Sequence, residues 1–342
     1  MTDKQWDILT DVIGGKILSP LPTGFIIDSP WIPGWYGINV LDYFTNDCMW
    51  LKANIKAVTG FPDLIFFPGF WSEYGMCTEP SAFGAKCVFF ENAFPHADKI
   101  IHTLNDIDTL RAPDPATDGL LPFMLNRLKW ALPHIEKAGH KIRFSVARGP
   151  LNIASYLMGT TELMTAMLTN PDKVHLLLQK ITDFLKNWID LQRKTFPTIS
   201  GIMILDDIIG FIGEEDFKTF GLPYLKEIYS SDVPVKFLHN DAPCEASVKY
   251  LPEIGINVFN MAFYTDLNVL KKSTQNKVVM LGNIPPRDVL ASGSPDDVAG
   301  AVKTLSSSLE SKSHVIFSCG GGMPMGIKTE NIKAFINAIE KP

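Results

Sequence analysis

The stretch Val235-Lys236-Phe237-Leu238-His239-Asn240-Asp241-Ala242-Pro243-Cys244 decides how this chain is read. An apolar run there gives way within six residues to His, Asp and Cys, the pattern of a buried strand that delivers polar chemistry at its C-terminal end. Val315-Ile316-Phe317-Ser318-Cys319 repeats the arrangement near the C-terminus, its thiol followed by Gly320-Gly321-Gly322. Between and before these runs lie Gly201 to Leu205 ending in Asp206-Asp207, Asn257 to Phe259 ending in Asn260, and Val278 to Leu281 ending in Gly282-Asn283. Helical patterns separate them: Glu214 to Ser230, Cys244 to Leu251, Asp266 to Ser273, Pro295 to Leu309 and, last, Thr329 to Ala338. Short apolar strands alternating with helices predict parallel βα units.

A doubly wound sheet and a closed barrel both satisfy that alternation. Polar residues end at least five strands (Asp206, His239, Asn260, Asn283, Cys319), and a closed barrel brings all such ends to one face, whereas an open sheet gathers only those near a switch point. No Gly-x-Gly-x-x-Gly follows the first strand, and Gly320-Gly321-Gly322 lacks the Lys-Ser/Thr of a phosphate-binding loop. The reading is therefore α/β, a single (β/α)8 TIM barrel over residues 1–342. Residues 1–60 would form an N-terminal arm and helix covering one mouth, because Ser19 to Gly37 holds too many Pro and Gly for a regular element.

Upstream, Asp63-Leu64-Ile65-Phe66-Phe67-Pro68 reads as a strand that opens into the aromatic, acidic loop Gly69 to Pro80. Glu73 and Glu79 are candidates there by location. Cys87-Val88-Phe89-Phe90 looks like a hairpin arm. Leu121 to Ala138 is helical in period, and Ile142 to Ala147 is a strand that leads to Arg148-Gly149-Pro150. Two further helical patterns run from Thr160 to Arg193, broken at Asn170-Pro171.

Net charge is −6 and no Lys/Arg cluster occurs, which argues against nucleic acid or an anionic membrane as partner and favours a small molecule or a protein. The N-terminus lacks the basic start and apolar run of a signal peptide, and no stretch of eighteen apolar residues exists, so the expected location is the cytoplasm. Five cysteines without Cys-x-x-Cys do not make a disulfide framework in so long a chain.

Zinc needs three or four His, Cys or carboxylate ligands, and His239 and Cys319 are of the right type, with Asp241 two residues beyond the histidine. The alternative is a histidine bonded to a carbonyl and a cysteine that packs as a small apolar group. Asp206 and Asp207 are candidate bases or substrate anchors, since a carboxylate at the end of an apolar strand is expensive to bury without a partner; paired aspartates also serve as helix caps. Asn283, Arg287 and Arg148 could each hold a polar ligand, Arg148 equally by pairing with a loop carboxylate.

Over Arg148 to Ala338 the chain resembles the uroporphyrinogen decarboxylase superfamily, which includes cobalamin-dependent methyltransferases. The carriers are Arg148-Gly149-Pro150-Leu151-Asn152-Ile153-Ala154-Ser155-Tyr156-Leu157-Met158-Gly159, His239, Leu281-Gly282-Asn283-Ile284-Pro285-Pro286, Ser318-Cys319-Gly320-Gly321-Gly322-Met323-Pro324 and Glu330-Asn331-Ile332. The resemblance implies a (β/α)8 barrel. The decarboxylase branch carries an N-terminal Arg-Gln-Ala-Gly-Arg motif for the acidic tetrapyrrole, and residues 20 to 40 here contain no arginine. The methyltransferase branch carries a zinc site of His-x-Cys and a distant Cys. His239 and Cys319 stand at matching places, but Asp241 replaces the first Cys. The resemblance thus implies a corrinoid-dependent methyltransferase with a zinc held by His239, Asp241 and Cys319; strand-end and loop positions add Asp206, Asp207 and His239 as catalytic candidates and Glu73, Glu79, Arg148 and Asn283 as substrate-binding ones. Because no Asp-x-His-x-x-Gly run is present, cobalamin would be carried by a partner corrinoid protein, received by the aromatic loop Phe70 to Tyr74. Tetrapyrrole decarboxylation and a non-catalytic barrel that binds a corrinoid or small ligand are the alternatives.

Overall fold

The computed structural model describes residues 1–340. Six parallel strands form one sheet: β5 (Phe144–Arg148), β6 (Gly201–Leu205), β7 (Val235–Asn240), β8 (Val258–Met261), β9 (Val279–Ile284) and β10 (Val315–Cys319), paired in that order. Two earlier strands, β1 (Gly24–Ile26) and β2 (Ile65–Phe67), pair in parallel with each other. β1 continues the ring next to β10 through parallel bridges Thr23↔Phe317 and Ile26↔Gly322. Eight parallel strands therefore run in the order β2-β1-β10-β9-β8-β7-β6-β5, the expected barrel. Its remaining seam, between β2 and β5, is filled by side chains: the Phe67 ring lies 6.3 Å from Phe144 and 5.3 Å from Phe237.

One interior cluster draws on every strand. Ile26, Ile65, Phe67, Phe144, Val146, Met203, Leu205, Val235, Phe237, Val258, Val279, Leu281 and Ile316 are all buried together. Each such side chain stabilises the fold by roughly 1.5–3 kcal/mol relative to exposure, so the barrel interior is a packed core and any ligand must sit at its mouth. The second, larger cluster lies between the strands and the surrounding helices.

The N-terminal segment departs from its expected irregularity. Residues Asp3–Ile13 form a helix whose Thr2 and Gln5 make a reciprocal capping box. Its buried face, Trp6, Leu9 and Val12, plugs the end of the barrel where the strands begin; Trp6 meets Phe144, the first residue of β5, at 5.5 Å. Gly24–Ile26 is a barrel strand inside the Pro-rich stretch. Three residues are too few for periodicity to register, and only pairing with β2 defines the strand. The Gly24 position is enforced by space, since a Cβ there would lie 2.8 Å from the Ile65 carbonyl oxygen.

Elsewhere the local expectations hold with small shifts. The helical part of residues 1–60 divides into Val40–Thr45 and Asp47–Gly60, because the Asn46 side chain caps the second helix by accepting from Met49 N. Cys87–Val88 (β3) pairs antiparallel with His96–Ala97 (β4) as a hairpin. Cys244 to Leu251 is mostly not helical; regular helix is confined to Leu251–Ile254 and a preceding short turn at Val248–Tyr250. No described helix is long and apolar enough to cross a membrane.

Candidate active site

All strand C-termini face one mouth, and a cavity of about 800 Å³ opens there. Asp28, two residues beyond β1, His239 and Asp241 at the end of β7, and Gly320 and Gly322 after β10 line it, with Arg287 and Asp288 beyond β9. Phe94, Phe263, Tyr264, Met323 and Met325 supply apolar wall.

His239 is fixed from behind. Its Nδ1 lies 2.7 Å from Asn260 Oδ1. Asn260 Nδ2 donates to the Leu281 carbonyl at 2.7 Å, so its Oδ1 must be the acceptor and Nδ1 carries the proton. Nε2 is then turned to Asp241, whose Oδ2 is 3.5 Å away. Burial works to discharge the imidazole, but the Asp241 charge and hydrogen bond, with help from Asp207 and Asn260, outweigh it and raise its pKa to about 10. His239 and Asp241 are consequently an imidazolium–carboxylate pair at neutral pH. Asp241 is itself pinned by backbone: its N–H donates to Asp207 Oδ1 at 2.7 Å. Gly321, at φ +77°, passes so close that a Cβ would sit 1.9 Å from Asp241 Oδ1.

Asp28 is the residue sequence reading overlooked. Its Oδ1 is enclosed yet has no hydrogen-bond partner among the described residues. Burial first, then the charges of Glu73 and Asp241, hold its pKa well above the carboxylate range, against the pull of His239 and Arg148. A signal did exist: Phe25-Ile26-Ile27 followed by Asp28 has the same apolar-then-ionisable form as Phe237-Leu238 followed by His239.

Several expected site residues take other work. Arg148 is buried between two carboxylates, 3.3 Å from Glu79 Oε2 and 3.3 Å from Glu73 Oε2. Glu79 also accepts from Arg148 N, and Glu73 accepts from Ser29 N and Gly75 N. None of the three lines the cavity, so the expected substrate contacts of Glu73, Glu79 and Arg148 give way to an ion-paired scaffold that ties β1, β2 and β5 together. Asp206, expected to be catalytic, is fully enclosed and accepts from Leu151 N and Asn152 N at the start of the helix Pro150–Met158. Burial, the larger effect, together with the Asp207 charge raises its pKa to about 8. Gly149 makes room for it, since a Cβ there would lie 2.1 Å from Asp206 Oδ2. Asp207 also positions rather than lines, accepting from Asn152 Nδ2 and from Asp241 N. Asn283 donates to the Thr265 carbonyl at 2.7 Å and supports the loop that carries Phe263 and Tyr264.

The zinc set does not assemble. Cys319 is fully buried, its thiol directed to the Gly321 carbonyl at 3.6 Å, and burial and Asp241 push its pKa up to about 12. It is not among the cavity-lining residues. Among the described residues no three His, Cys, Asp or Glu side chains come together to hold a metal ion. His239 and Asp241 reach the cavity without the third donor a zinc site needs. The loop from Phe70 to Tyr74 is likewise buried and cannot receive a partner. The exposed apolar side chains at the mouth are Phe263, Tyr264 and Met325.

The uroporphyrinogen decarboxylase (URO-D) family model matches residues 38–342. Proteins named uroporphyrinogen decarboxylase from Psychromonas ingrahamii and Pseudoalteromonas atlantica are 24% and 25% identical over 279 residues, covering 77% of this chain and 76% of theirs. Among solved structures, a methyltransferase from Methanosarcina mazei superposes with a TM-score of 0.83 at 17% identity, covering 98% of both chains. A B12-independent methionine synthase from Shewanella gives a TM-score of 0.57 at 10% identity, over 93% of this chain and 95% of that one. At these identities the structures establish the barrel.

Proposed function

We propose that this chain, which belongs to the uroporphyrinogen decarboxylase family, is a methyltransferase that moves a methyl group between a small methylated substrate and the cobalt of a separate corrinoid protein. The observation that carries the reading is the charge of the cavity. Asp28, Asp241 and Asp288 line it, and the only Arg or Lys among the described lining residues is Arg287. A tetrapyrrole with several carboxylates would meet like charge there and lack the bidentate cations such groups need. Both Arg148 and its carboxylate partners are already committed to each other.

The chain's own residues prepare a transfer geometry. Asn260 fixes the His239 ring, His239 fixes Asp241, and Asp207 and Gly321 clamp the Asp241 loop, so the reacting group would meet a rigid polar floor. Apolar wall excludes water from the methyl group, and Phe263, Tyr264 and Met325 offer an apolar rim to an incoming partner. The corrinoid supplies a cobalt that accepts or donates methyl. Zinc has no step in this scheme, because its expected ligands do not converge. Metal analysis checks that point: the purified protein should carry no stoichiometric zinc, and a full complement lost on Cys319→Ala would overturn it.

The rival within the family is decarboxylation. The deciding experiment supplies uroporphyrinogen in one assay and methylcobalamin with a thiol or amine acceptor in another. Spectral loss of the methyl–cobalt species, with no coproporphyrinogen formed, supports transfer; coproporphyrinogen production would replace this reading with the decarboxylase one.

A further inference from the structure

We infer that the cavity binds a methylated cation, a quaternary ammonium or a sulfonium, with Asp28 as its counter-ion; this rests on the methyl-transfer reading above and names its substrate class. Three independent features of the site point there. The first is the unpartnered carboxylate: Asp28 Oδ1 is enclosed and has no hydrogen bond among the described residues, although every other buried carboxylate at this end of the barrel is bonded. A carboxylate with an oxygen left unbonded keeps an uncompensated negative charge at the cavity wall, which a bound cation offsets without donating a hydrogen bond.

Charge balance is the second. Around Asp28 stand Glu73 and Asp241 with negative charge and His239 and Arg148 with positive charge. Arg148 is shared between Glu73 and Glu79, His239 is paired with Asp241, and Arg287, the other cation of the cavity lining, also acts on Asp241. Among the described lining residues three carboxylates, Asp28, Asp241 and Asp288, face two basic groups, His239 and Arg287, so the pocket is one positive charge short. Burial and the neighbouring carboxylates keep Asp28 well above the usual carboxylate range, which is how an isolated acid answers that shortage until a cation arrives.

The third is the wall. Phe94, Phe263 and Tyr264 line the same cavity, with Met323 and Met325. A quaternary ammonium or sulfonium has no N–H or S–H to donate; it is held by aromatic faces and a diffuse negative field, which this lining provides. Neutral methyl ethers would gain nothing from Asp28.

The chemistry of such a donor also suits the residues present. A cobalt(I) corrinoid uses its electron pair to form a bond to the methyl carbon. The C–N or C–S bond breaks, and its pair stays on nitrogen or sulfur. Cobalt ends as cobalt(III) carrying methyl, and the leaving group departs as a neutral amine or thioether. No proton and no Lewis acid is required for that departure, whereas the alkoxide released from a methyl ether needs one or the other. A His239–Asp241 pair in place of a thiolate metal set is consistent with that simpler demand.

Calorimetric titration of the full chain with choline tests the site, beside 3,3-dimethyl-1-butanol, its uncharged isostere. Choline should bind and the alcohol should not. Asp28→Asn, which keeps the shape and removes the charge, should weaken choline binding by on the order of tenfold. Tyr264→Leu, at an exposed position that puts no burden on folding, should weaken it about threefold. Trimethylsulfonium should compete with choline. Equal binding of the alcohol, unchanged choline affinity in Asp28→Asn, or no binding of any of these cations would overturn the inference. Cation binding without methyl transfer to cob(I)alamin would leave the site standing and remove the methyltransferase reading; transfer from neutral ethers alone would do the reverse.

Discussion

Two groups of acidic residues sit within one barrel mouth and do opposite work. Glu73, Glu79 and Asp206 are buried and bonded, the first two to Arg148 and to backbone N–H groups, the third to the first turn of the helix Pro150–Met158. Asp28 and Asp241 line the cavity instead; Asp241 is paired with His239, and Asp28 has no ion pair among the described residues. Saturation separates scaffold from site here, and burial does not. A buried carboxylate whose oxygens all have partners is holding the fold together, whereas Asp28 lines the cavity with one oxygen left unbonded.

Breaking the scaffold side should be the most costly change. Arg148→Met leaves Glu73 and Glu79 buried without their cation, and urea unfolding should record a loss of roughly 3–5 kcal/mol; Asp28→Asn in the same assay should match or exceed the parent protein. A large loss for Asp28→Asn with little for Arg148→Met would invert the comparison.

Asp206 sharpens it through pH. Its folded pKa, about 8, is raised above the unfolded value, so the native state holds a proton that the unfolded chain releases at lower pH. The stability contribution is therefore intact at acid pH and declines as pH climbs toward 8. Asp206→Asn should flatten that decline between pH 5.5 and 8.5, and a parent protein whose unfolding free energy rises over this interval would refute the assignment. Asp206→Ala, which removes both acceptors from the helix start, should cost about 1–3 kcal/mol at any pH.

Gly321→Ala acts on the site side. A Cβ would strike Asp241 and φ is +77°, so the glycine loop must shift by a strain of about 1–3 kcal/mol. Choline affinity should fall with it; an unaltered affinity would mean that Asp241 is not held by this loop. Least costly is the rim. Tyr264 is 69% exposed, and Tyr264→Ala should change stability by no more than about 0.5 kcal/mol while slowing reaction with a corrinoid protein.

The barrel was legible because its late strands are long apolar runs with clear stops: β6 keeps the expected limits, and β7 to β10 extend theirs by one to three residues at the C-terminal end. β1 was not, since three residues in a Pro-rich stretch become a strand only through pairing with β2 and β10. Asp28 was lost with it. His239 and Asp241 were found because strand ends in a barrel must converge. Cys319 sits at the right strand end too, but side-chain direction depends on the backbone after the strand, and there the glycine loop turns the thiol to a carbonyl. Spacing also could not distinguish an Arg148 that reaches a substrate from one already shared by two glutamates 69 and 75 residues earlier.

The most direct test of the account mixes the protein with cob(I)alamin and a quaternary methylammonium donor and follows methyl–cobalt formation by absorbance. We expect transfer in the parent protein, with a rate reduced on the order of 100-fold in His239→Ala, where Asp241 loses the group that orients it. Coproporphyrinogen formation from uroporphyrinogen, or transfer at full rate in His239→Ala, would contradict it.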